Sequence, residues 1–575
     1  MRSSLAVSSA GSAVLPHKPN MVEGGARSRE GLAGGRPRRP CRVGSRTVAG
    51  LQQRVARVSI GPEPPGGEGV SGAASNLRPA LRVGAELAPW QRAAAAALVD
   101  LGLPPVAWIG RRSGTPCPDA TAWLDEAQED LAARLAALGV DLVVDLTWAP
   151  ARLDLAVAVW QLRFGPEARP GPPGGPELVR GERSVLARLV ELDGPSEGRV
   201  LVEGRIKAVR HSLAATRARV LDVIARWPAR ALAWRRAGLL PVGAGTPCRF
   251  AQEPPAEPRG LALRQLLGAL RRLAECAVDE RWRLGVLEAS IGELLEGARP
   301  TVRWLPERPE GWLADPVGVR GRVVLAEAFD PSTGRGRLVR TGPEPDAPVV
   351  PVLRAAHHLS WPFLVEDGGE IFLLPEASAT GRIQLWRAAP FPDRFEPDAV
   401  LLEDVAGVDP TVLRHGGHWY LFAGDRADQD EVRLHLFVAE ALRGPWRRHP
   451  MSPVVDDLGS ARPAGPVFAH EGRLFRPAQD CTRTYGGAVV INRIEVLTPD
   501  LYREVPIARL DPDPAGPCPD GLHTLAASEA GILIDGKRER RSLRAFLANL
   551  RAVLTERRAA CAEDQPVAAR ATRAR

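Results

Sequence analysis

An internal repeat in the second half of the chain constrains its fold more than any other feature of the sequence. Four segments carry a proline at the start of a short apolar stretch and a fifth lacks it; each is followed by a glycine-containing turn and a second apolar stretch. The segments are Ala314–Val319, Ser360–Val365, Val408–Leu413, Ala461–Pro466 and Gly521–Leu525. Their starts lie roughly 50 residues apart, which is the size of a four-stranded blade. Five such units predict a five-bladed β-propeller over residues 281–540.

The second strand of each predicted blade follows the same repeat. These strands are expected at Arg322–Glu327, Glu370–Pro375, His418–Ala423, Arg473–Pro477 and Gly531–Asp535. Trp282–Glu288 is a further strand-like segment ahead of the first unit. We expect this segment to pair within the last blade and so to close the ring.

The repeat also indicates which side chains meet in the centre. Proline is tolerated at the first residue of a strand because its missing N–H costs no ladder bond there. Since the first strand of each blade lines the channel of a propeller, the residues before the prolines should face one mouth. They are Asp315, Trp361, Asp409 and Arg462, and His523 is the expected counterpart in the fifth unit. One Asp-Pro pair is ordinarily structural, but five polar or aromatic residues at equivalent positions favour a ligand-binding channel.

Residues 80–240 show a different pattern, in which strand-like and helix-like segments alternate. Strand patterns at Leu81–Leu87, Val106–Gly110 and Asp141–Leu146 alternate with helix patterns at Trp90–Leu101 and Ala122–Leu138. A helix is then expected at Ser184–Glu191, a strand at Gly198–Val209 and a long helix at Ser212–Ala237. This alternation predicts an α/β domain with a parallel sheet. Residues 241–280 are expected to form a linker and a helix.

Charge and cysteine content narrow the class of protein. The net charge is +8, and residues 1–79 account for all of it, so no nucleic-acid-binding face is expected on the folded part. We predict a disordered leader over these residues, with a start codon placed too far upstream as the alternative. The seven cysteines are scattered without a Cys-x-x-Cys pair, which argues against a zinc site or disulfide framework and favours a reducing, cytoplasmic location. No apolar run is long enough to span a membrane, so stable membrane insertion is not expected.

The last segment, residues 541–575, is predicted to be a helix followed by a tail. Ser542–Ala560 is a basic amphipathic pattern with its apolar positions on one face. Docking of this helix on the propeller is the first interpretation, and a role at a membrane surface is the alternative.

Two Asp-Pro motifs carry a family resemblance. Trp312–Gly318, and Asp409-Pro410 with His418–Phe422, resemble the Asp-Pro motifs of the invertase, levansucrase and arabinanase clan of five-bladed glycosidases. A second set of motifs is similar to the propeller domain of glucosamine inositolphosphorylceramide transferases. This set comprises Ser360–Phe363, Leu374–Glu376, Ser460–Gly465, Arg476–Cys481 and Gly521–Thr524. In the plant-type enzymes the glycosyl transfer is assigned to a separate domain with no match here, so the resemblance does not carry that activity over.

The resemblance implies roles for the channel residues. A glycosidase needs two carboxyl groups across the scissile bond. Asp315 would be the base or nucleophile, Glu376 the acid, and Asp409 a second carboxylate that orients the sugar or tunes the site. Glu327 is a weaker candidate for the acid. Substrate-binding roles fall to Trp361, Arg462, His523 and Asp480. A rim position for Glu376 and a structural Asp–Arg pair for Arg462 remain open alternatives.

Bacterial relatives of that propeller carry a formyltransferase-like module, and residues 80–240 fit its position. Leu192–Leu201 loosely resembles the formyltransferase Asp-x-Gly-x-(Ile/Val)-Leu segment, with Asp193 as the candidate residue, although Asp193 is offset and Ser196 stands where the aspartate belongs. Trp160–Glu167 contains neither the asparagine nor the histidine that such enzymes use. We therefore interpret the module as degenerate.

Three functions follow from these observations. The first is a carbohydrate-active protein with glycosidase or glycosyl-transfer chemistry at the channel, binding a carbohydrate or sugar-phosphate ligand. The second is a non-catalytic glycan-binding scaffold that serves a partner glycosyltransferase, and the third is formyl or acyl transfer by the N-terminal domain. No cofactor or metal is expected. A carboxyl pair about 5–10 Å apart across an open channel would favour the first function, whereas a channel closed by an Asp–Arg pair would favour the second.

Overall fold

The computed structural model describes residues 77–84, 87–110, 122–148, 155–194, 196–240, 245–251, 259–308, 311–318, 323–528, 531–547 and 549–550. The predicted leader, apart from residues 77–79, lies outside this part of the chain. So does most of the predicted C-terminal helix; residues 543–547 and 549–550 are helical.

The N-terminal unit is an α/β domain built on one eight-stranded sheet. Its elements are β1 (Pro79–Arg82), α1 (Pro89–Asp100), β2 (Ala107–Ile109), β3 (Trp123–Leu124), α2 (Leu131–Ala137), β4 (Leu142–Asp145), β5 (Ala158–Phe164), α3 (Gly175–Arg180), β6 (Ser184–Leu192), β7 (Glu197–Lys207), α4 (Leu213–Ile224), α5 (Trp227–Arg236), β8 (Thr246–Arg249) and α6 (Leu261–Glu275). The strand order is β3-β2-β1-β4-β5-β6-β7-β8. Strands β1 to β5 are parallel, whereas β6, β7 and β8 each run antiparallel to the preceding neighbour.

The predicted α/β class is confirmed, but the sheet is mixed rather than parallel. A short turn at Asp193 joins β6 to β7, and two strands joined by a tight turn must run antiparallel. The helix predicted over Ser184–Glu191 is wrong, because this segment is strand β6, buried along most of its length. A short apolar run buried on both faces has no periodicity that separates strand from helix.

Two further helix predictions in this domain need correction. The single helix expected over Ser212–Ala237 is divided into α4 and α5 at Arg226, because Pro228 occupies the first turn of α5 and has no N–H to continue α4. The helix expected over Ala122–Leu138 contains the short strand β3 and the shorter helix α2.

The second unit is a five-bladed β-propeller, as the repeat predicts. Its elements are β9 (Val278–Leu287), α7 (Ile291–Leu295), β10 (Val302–Trp304), β11 (Trp312–Gly318), β12 (Val324–Asp330), β13 (Arg335–Thr341), β14 (Val350–Leu353), β15 (Ser360–Asp367), β16 (Glu370–Glu376), β17 (Arg382–Ala388), β18 (Phe395–Glu403), β19 (Gly407–His415), β20 (His418–Asp425), β21 (Arg433–Ala439), β22 (Arg447–Arg448), β23 (Val455–Asp456), β24 (Phe468–His470), β25 (Arg473–Asp480), β26 (Ala488–Leu497), β27 (Tyr502–Leu510), β28 (Gly521–Ser528) and β29 (Gly531–Arg541). Blade 1 is β11–β14, blade 2 is β15–β18, blade 3 is β19–β23, blade 4 is β24–β27, and blade 5 combines β28 and β29 with β9 and β10.

The ring closes as the sequence predicts. Strand β9 pairs antiparallel with β29 from Leu287 opposite Ile532 to Val278 opposite Arg541. Hydrophobic clusters lie between neighbouring blades; between blades 2 and 3, for example, Phe372 and Leu374 share a cluster with Leu421. Blade 4 departs from the prediction, since the Ala461–Pro466 segment makes only an isolated bridge from Pro463 to Ala478 before β24 begins.

The α/β domain packs against the end of the propeller at which the first strands begin. Asp456 of β23 accepts hydrogen bonds from Trp227 Nε1 at 3.2 Å and from Arg230 Nη2 at 2.5 Å. Lys207 pairs with Glu431 at 2.6 Å. One hydrophobic cluster joins core residues of both units, including Val202, Ile206, Trp227, Trp282, Trp312, Leu458 and Tyr485. Among the helices that the structure describes, none has the length and apolar character needed to cross a membrane.

Candidate functional site

Four of the five repeat positions lie in irregularities of the backbone that turn their side chains toward the channel. Register shifts interrupt the first strands of blades 1, 2 and 3 at Asp315, Trp361 and Asp409, and that of blade 5 at His523. The backbone φ angles of Asp315, Trp361 and Asp409 are +52°, +53° and +48°. This left-handed conformation costs a residue with a side chain roughly 1–3 kcal/mol and persists only where its surroundings compensate. Here the compensation is a network of buried hydrogen bonds.

The first part of the network joins blades 1 and 5 around His523. Its Nδ1 lies 2.6 Å from Asp535 Oδ1, and its Nε2 lies 3.3 Å from Asp315 Oδ1. Asp535 also accepts the backbone N–H of Asp315 through Oδ2 at 2.9 Å. The ring of Trp282 stacks on the imidazole, with centroids 3.9 Å apart. His523 therefore bridges two carboxylates inside an apolar enclosure.

Electrostatics favour the protonated form of this histidine. Burial by itself lowers the pKa of His523, but the carboxylates of Asp535 and Asp315 more than offset it, so the pKa is raised above its ordinary value. Burial likewise disfavours the ionised Asp535, yet the bonds to His523 hold the pKa of that carboxyl below its ordinary value. An imidazolium that donates from both nitrogens satisfies both carboxylates.

Asp315, His523 and Asp535 are also residue types that can bind a cation, although the sequence analysis predicted no metal site. Ligand atoms of Asp315, His523 and Asp535 all lie within 4.8 Å of one another. However, Asp535 Oδ1 also accepts the backbone N–H groups of His523 and Thr524, at 3.2 and 3.0 Å. The atoms that could bind a cation are thus already hydrogen-bonded to one another and to the backbone. A cation would have to displace a proton from the imidazole ring.

The second part of the network surrounds Arg462 of blade 4. Its Nε donates to Asp409 Oδ2 at 2.7 Å, and its Nη1 donates to Asp430 Oδ2 at 3.1 Å. Gln479 Nε2 donates to the same Asp409 oxygen at 3.1 Å. The guanidinium carbon lies 4.8 Å from the centre of the Tyr485 ring. The structural Asp–Arg pair, one of the alternatives left open by the sequence, is therefore present between Asp409 and Arg462.

Glu376 links this group to blade 2. Its Oε2 accepts the backbone N–H of Asp409 at 3.2 Å, and its Oε1 accepts from Arg426 at 3.0 Å. Arg462 Nη2 also lies 3.9 Å from Glu376 Oε2, so one guanidinium group pairs with both Glu376 and Asp409. Because the Arg462 guanidinium group pairs with both carboxyl groups, it occupies the space that a glycosidic bond between them would need.

The group around Arg462 carries more negative than positive charge. Three acidic side chains, Asp409, Glu376 and Asp430, face the two guanidinium groups of Arg462 and Arg426. Burial, assisted by Glu376 and Asp315, raises the pKa of Asp409 to about 8 despite Arg462. Burial also raises the pKa of Asp430. The simplest account is that the Asp409–Glu376 pair retains one proton at neutral pH, which removes the excess charge.

The remaining predicted residues lie elsewhere or serve packing. Trp361 is 3% exposed, donates its indole N–H to Pro410 O at 2.9 Å and belongs to the cluster between blades 2 and 3. Asp480 caps a turn by accepting from Thr482 N and Oγ1 at 2.7 and 2.6 Å, and it pairs with Arg509. This turn-capping geometry gives Asp480 a structural task.

Glu327 and Asp193 also lie apart from the network. Glu327 is fully buried in blade 1, where one of its oxygens lies 3.5 Å from His358 Nε2. Asp193 lies at the β6–β7 turn and pairs with Arg199 at 3.1 Å, with its side chain 43% exposed.

Both parts of the network are closed off from solvent. Asp315, Asp409, Glu376, Arg462 and His523 are each at most 5% exposed. The α/β domain contributes to this closure, because its core residues share one cluster with Trp312, Ala314 and Tyr485 beside the network. Arg426 is the exception, with 43% of its side chain exposed beside Glu376.

Sequence reasoning missed several members of the network. They are Trp282, Arg426, Asp430, Gln479, Tyr485, Thr524 and Asp535. Only Asp535 and Gln479 had a usable signal, since both lie near the end of a second strand of the repeat, as Glu376 does.

Comparison with known proteins bears on the middle of the propeller. The family model described as glucosamine inositolphosphorylceramide transferase 1, N-terminal, matches residues 348–513. This span includes Trp361, Glu376, Asp409 and Arg462 but leaves Asp315 and His523 outside.

Glucosamine inositolphosphorylceramide transferase 1 of Oryza sativa subsp. japonica is 36% identical over 160 residues, which are 27% of this chain and 21% of the relative. The protein of the same name from Arabidopsis thaliana is 31% identical over 212 residues, which are 35% of this chain and 28% of the relative. The chain thus spans less than a third of the length of these curated relatives.

Solved propeller structures are also similar in part. The α-L-arabinofuranosidase PaAbf62A from Podospora anserina matches 34% of this chain and 69% of its own, with 13% identity and a TM-score of 0.28. The β-xylosidase RS223 matches 39% of this chain and 84% of its own, with 11% identity and a TM-score of 0.31.

Proposed function

We propose that this protein is a carbohydrate-binding component of glycosyl-transfer chemistry, and that its propeller mouth recognises a sugar or a sugar phosphate. The observation that carries the proposal is the network in which repeat positions from four blades bring carboxyl, guanidinium and imidazolium groups together. Curated relatives that match part of this chain are named as glucosamine inositolphosphorylceramide transferases, which supports a sugar-containing ligand. The relatives' transfer activity is not assigned to this chain.

The charges around Arg462 suit such a ligand. Carboxylates accept hydrogen bonds from sugar hydroxyls, and guanidinium groups bind phosphate through paired N–H donors. Arg426 is the partly exposed member of the group and pairs with Glu376. We expect a ligand to enter beside Arg426 and to take over its hydrogen bonds to Glu376.

Recognition without hydrolysis is favoured over a glycosidase. Arg462 pairs with the carboxyl groups of both Asp409 and Glu376 and so occupies the space that a glycosidic bond would need. This arrangement is the one that favours a glycan-binding scaffold serving a partner glycosyltransferase. Formyl transfer receives no support, because Asp193 occupies a partly exposed hairpin turn and pairs with Arg199.

One observation favours acid-assisted cleavage as the second candidate. With a pKa of about 8, Asp409 would hold a proton at neutral pH, which is the state that a general acid requires. Cleavage would require Arg462 to withdraw from Asp409 so that a glycosidic oxygen could reach the carboxyl group.

The experiment is glycan-array binding and turnover of chromogenic glycosides by the full chain and three variants. Asp315→Asn and Asp409→Asn change the network, and Asp367→Asn is a matched control at the other end of the first strand of blade 2. Binding by wild type and control that both network variants weaken, with turnover by none, supports the proposal.

Turnover by wild type that Asp409→Asn abolishes would favour the hydrolytic candidate instead. If wild type binds no glycan and no sugar phosphate, the carbohydrate function is wrong.

A further inference from the structure

Helix α6 (Leu261–Glu275) packs on the protein with its polar face. Gly268 approaches the neighbouring backbone so closely that an added Cβ would lie 2.4 Å from Arg210 O. Glu275 pairs with Arg210 and, at 3.7 Å, with Arg183. Among the residues of this helix, Gly268 alone is buried.

The opposite face of α6 is apolar and exposed, which reverses the usual orientation of a surface helix. The leucines of this face are between 38% and 61% exposed: Leu263, Leu266, Leu267, Leu270 and Leu273. Burying such leucines is the ordinary source of stability for an amphipathic helix. Their exposure therefore indicates a surface used for binding.

The helical residues after β29 extend this apolar face. Ser542 N donates to Ala277 O at 2.8 Å, and Asn549 Nδ2 donates to Cys276 O at 3.0 Å, so this segment lies beside the end of α6. Leu543 and Leu547 are 74% and 49% exposed. We call these two residues and the five leucines of α6 the leucine surface.

The charges around the leucine surface identify what it fits. Residues 261–275 and 540–550 contain six arginines, and Glu275 is their single acidic residue. Arg264, Arg271 and Arg544 are exposed. A second copy of the chain would bring the same arginines against these, whereas an anionic lipid surface would complement both the charge and the leucines.

We propose that the leucine surface binds an anionic membrane, with α6 and the helix after β29 lying in the plane of the lipid headgroups. The helices need not cross the bilayer, because leucines on one face enter the headgroup–acyl boundary while arginines remain among the phosphates. Lys537 of strand β29 lies opposite Gly521, the first residue of β28, and β29 continues to Arg541 beyond this end of the propeller. The leucine surface therefore lies toward the mouth end of the propeller. This inference is independent of the proposed carbohydrate function.

The test is flotation of the full chain with vesicles of pure phosphatidylcholine and with vesicles that also contain phosphatidylserine. We expect binding to the second kind only, reduced by high salt. Leu266→Ser combined with Leu270→Ser should abolish binding, while Val400→Ser combined with Ile507→Ser, two exposed apolar residues of blades 2 and 4, should leave it unchanged. Arg264→Gln combined with Arg271→Gln should weaken binding by roughly fivefold per arginine.

Circular dichroism and the unfolding temperature establish whether each variant is folded, which is expected because all these side chains are exposed. Absence of vesicle binding by the wild type, equal binding to both kinds of vesicle, or binding unaffected by the leucine changes would overturn the proposal. Light scattering tests the alternative that a second copy of the chain binds the leucine surface. A dimer that the leucine changes convert to a monomer, without vesicle binding, would assign the surface to a second copy.

Discussion

The excess negative charge around Arg462 predicts very different stability costs for two substitutions at the Asp409–Arg462 pair. Arg462→Met removes the guanidinium group that faces Asp409, Asp430 and Glu376, and methionine fills much of the same volume. It leaves buried carboxyl groups that lack their cation, and breaking a buried pair in this way costs about 3–5 kcal/mol. For a unit of propeller size this corresponds to a fall in Tm of roughly 10 °C.

Asp409→Asn should be far milder. The amide oxygen can still accept from Arg462, and the lost charge is the one that the protein already compensates with a proton. We expect a cost of at most about 1 kcal/mol at neutral pH, the size of one ordinary hydrogen bond.

The pH dependence of stability shows whether Asp409 is protonated or ionised in the folded protein at neutral pH. Because its pKa in the folded protein, about 8, lies above the unfolded value, the folded state binds more protons between about pH 4 and pH 8. Its contribution to stability is complete below the unfolded pKa and is lost as the pH rises toward 8. We therefore expect the wild type to lose stability over this range and Asp409→Asn to lose less.

Thermal unfolding followed by circular dichroism at several pH values measures both effects. If Asp409→Asn destabilises the protein as strongly as Arg462→Met and leaves the pH dependence unchanged, Asp409 is fully ionised and the reasoning from excess charge is wrong. The control for altered folding is the near-ultraviolet spectrum of each variant at a pH where it is folded.

The other predictions concern the imidazole bridge, one glycine and the contact between the two units. His523→Gln should remove the loss of wild-type stability that begins as the pH rises above about 6.5, because the raised pKa keeps the imidazole protonated only in the folded protein; an unchanged pH profile of Tm would contradict this. Gly465→Ala should lower Tm strongly, since an added Cβ would lie 1.9 Å from Leu525 O, whereas Gly194→Ala, with no atom within 4 Å of its Cβ, should change Tm little; equal effects would refute the steric argument. Asp456→Ala should loosen the α/β domain, and limited proteolysis should then release an intact propeller faster than from the wild type.

The propeller was predictable because the spacing of the repeat shows where each blade begins, without knowledge of any contact. The repeat also placed Asp315, Trp361, Asp409, Arg462 and His523 at equivalent positions, and left-handed bulges explain why the first three turn inward. The repeat did not show which residues of other blades contact these five positions. Partners such as Asp430 and Tyr485 lie on connecting segments outside the repeated strands.

The α/β domain was harder to predict for a related reason. Its strand β6 is buried on both faces, so the apolar residues of Ser184–Leu192 carry no alternation that distinguishes strand from helix. The closure of the propeller mouth was also not predictable, because it depends on contacts between segments more than 200 positions apart, such as Arg230 with Asp456. Local patterns contain no information about such docking.

The pairing of β9 with β29 sets the order in which the molecule can be completed during synthesis. Strand β9 leaves the ribosome about 250 residues before its partner, so blade 5 stays half-built while blades 1 to 4 form. His523 and Asp535 belong to that late segment, and until it arrives the backbone N–H of Asp315 and its carboxylate lack these partners. A chain released before residue 531 would expose this unpaired strand edge, and unpaired strand edges promote aggregation.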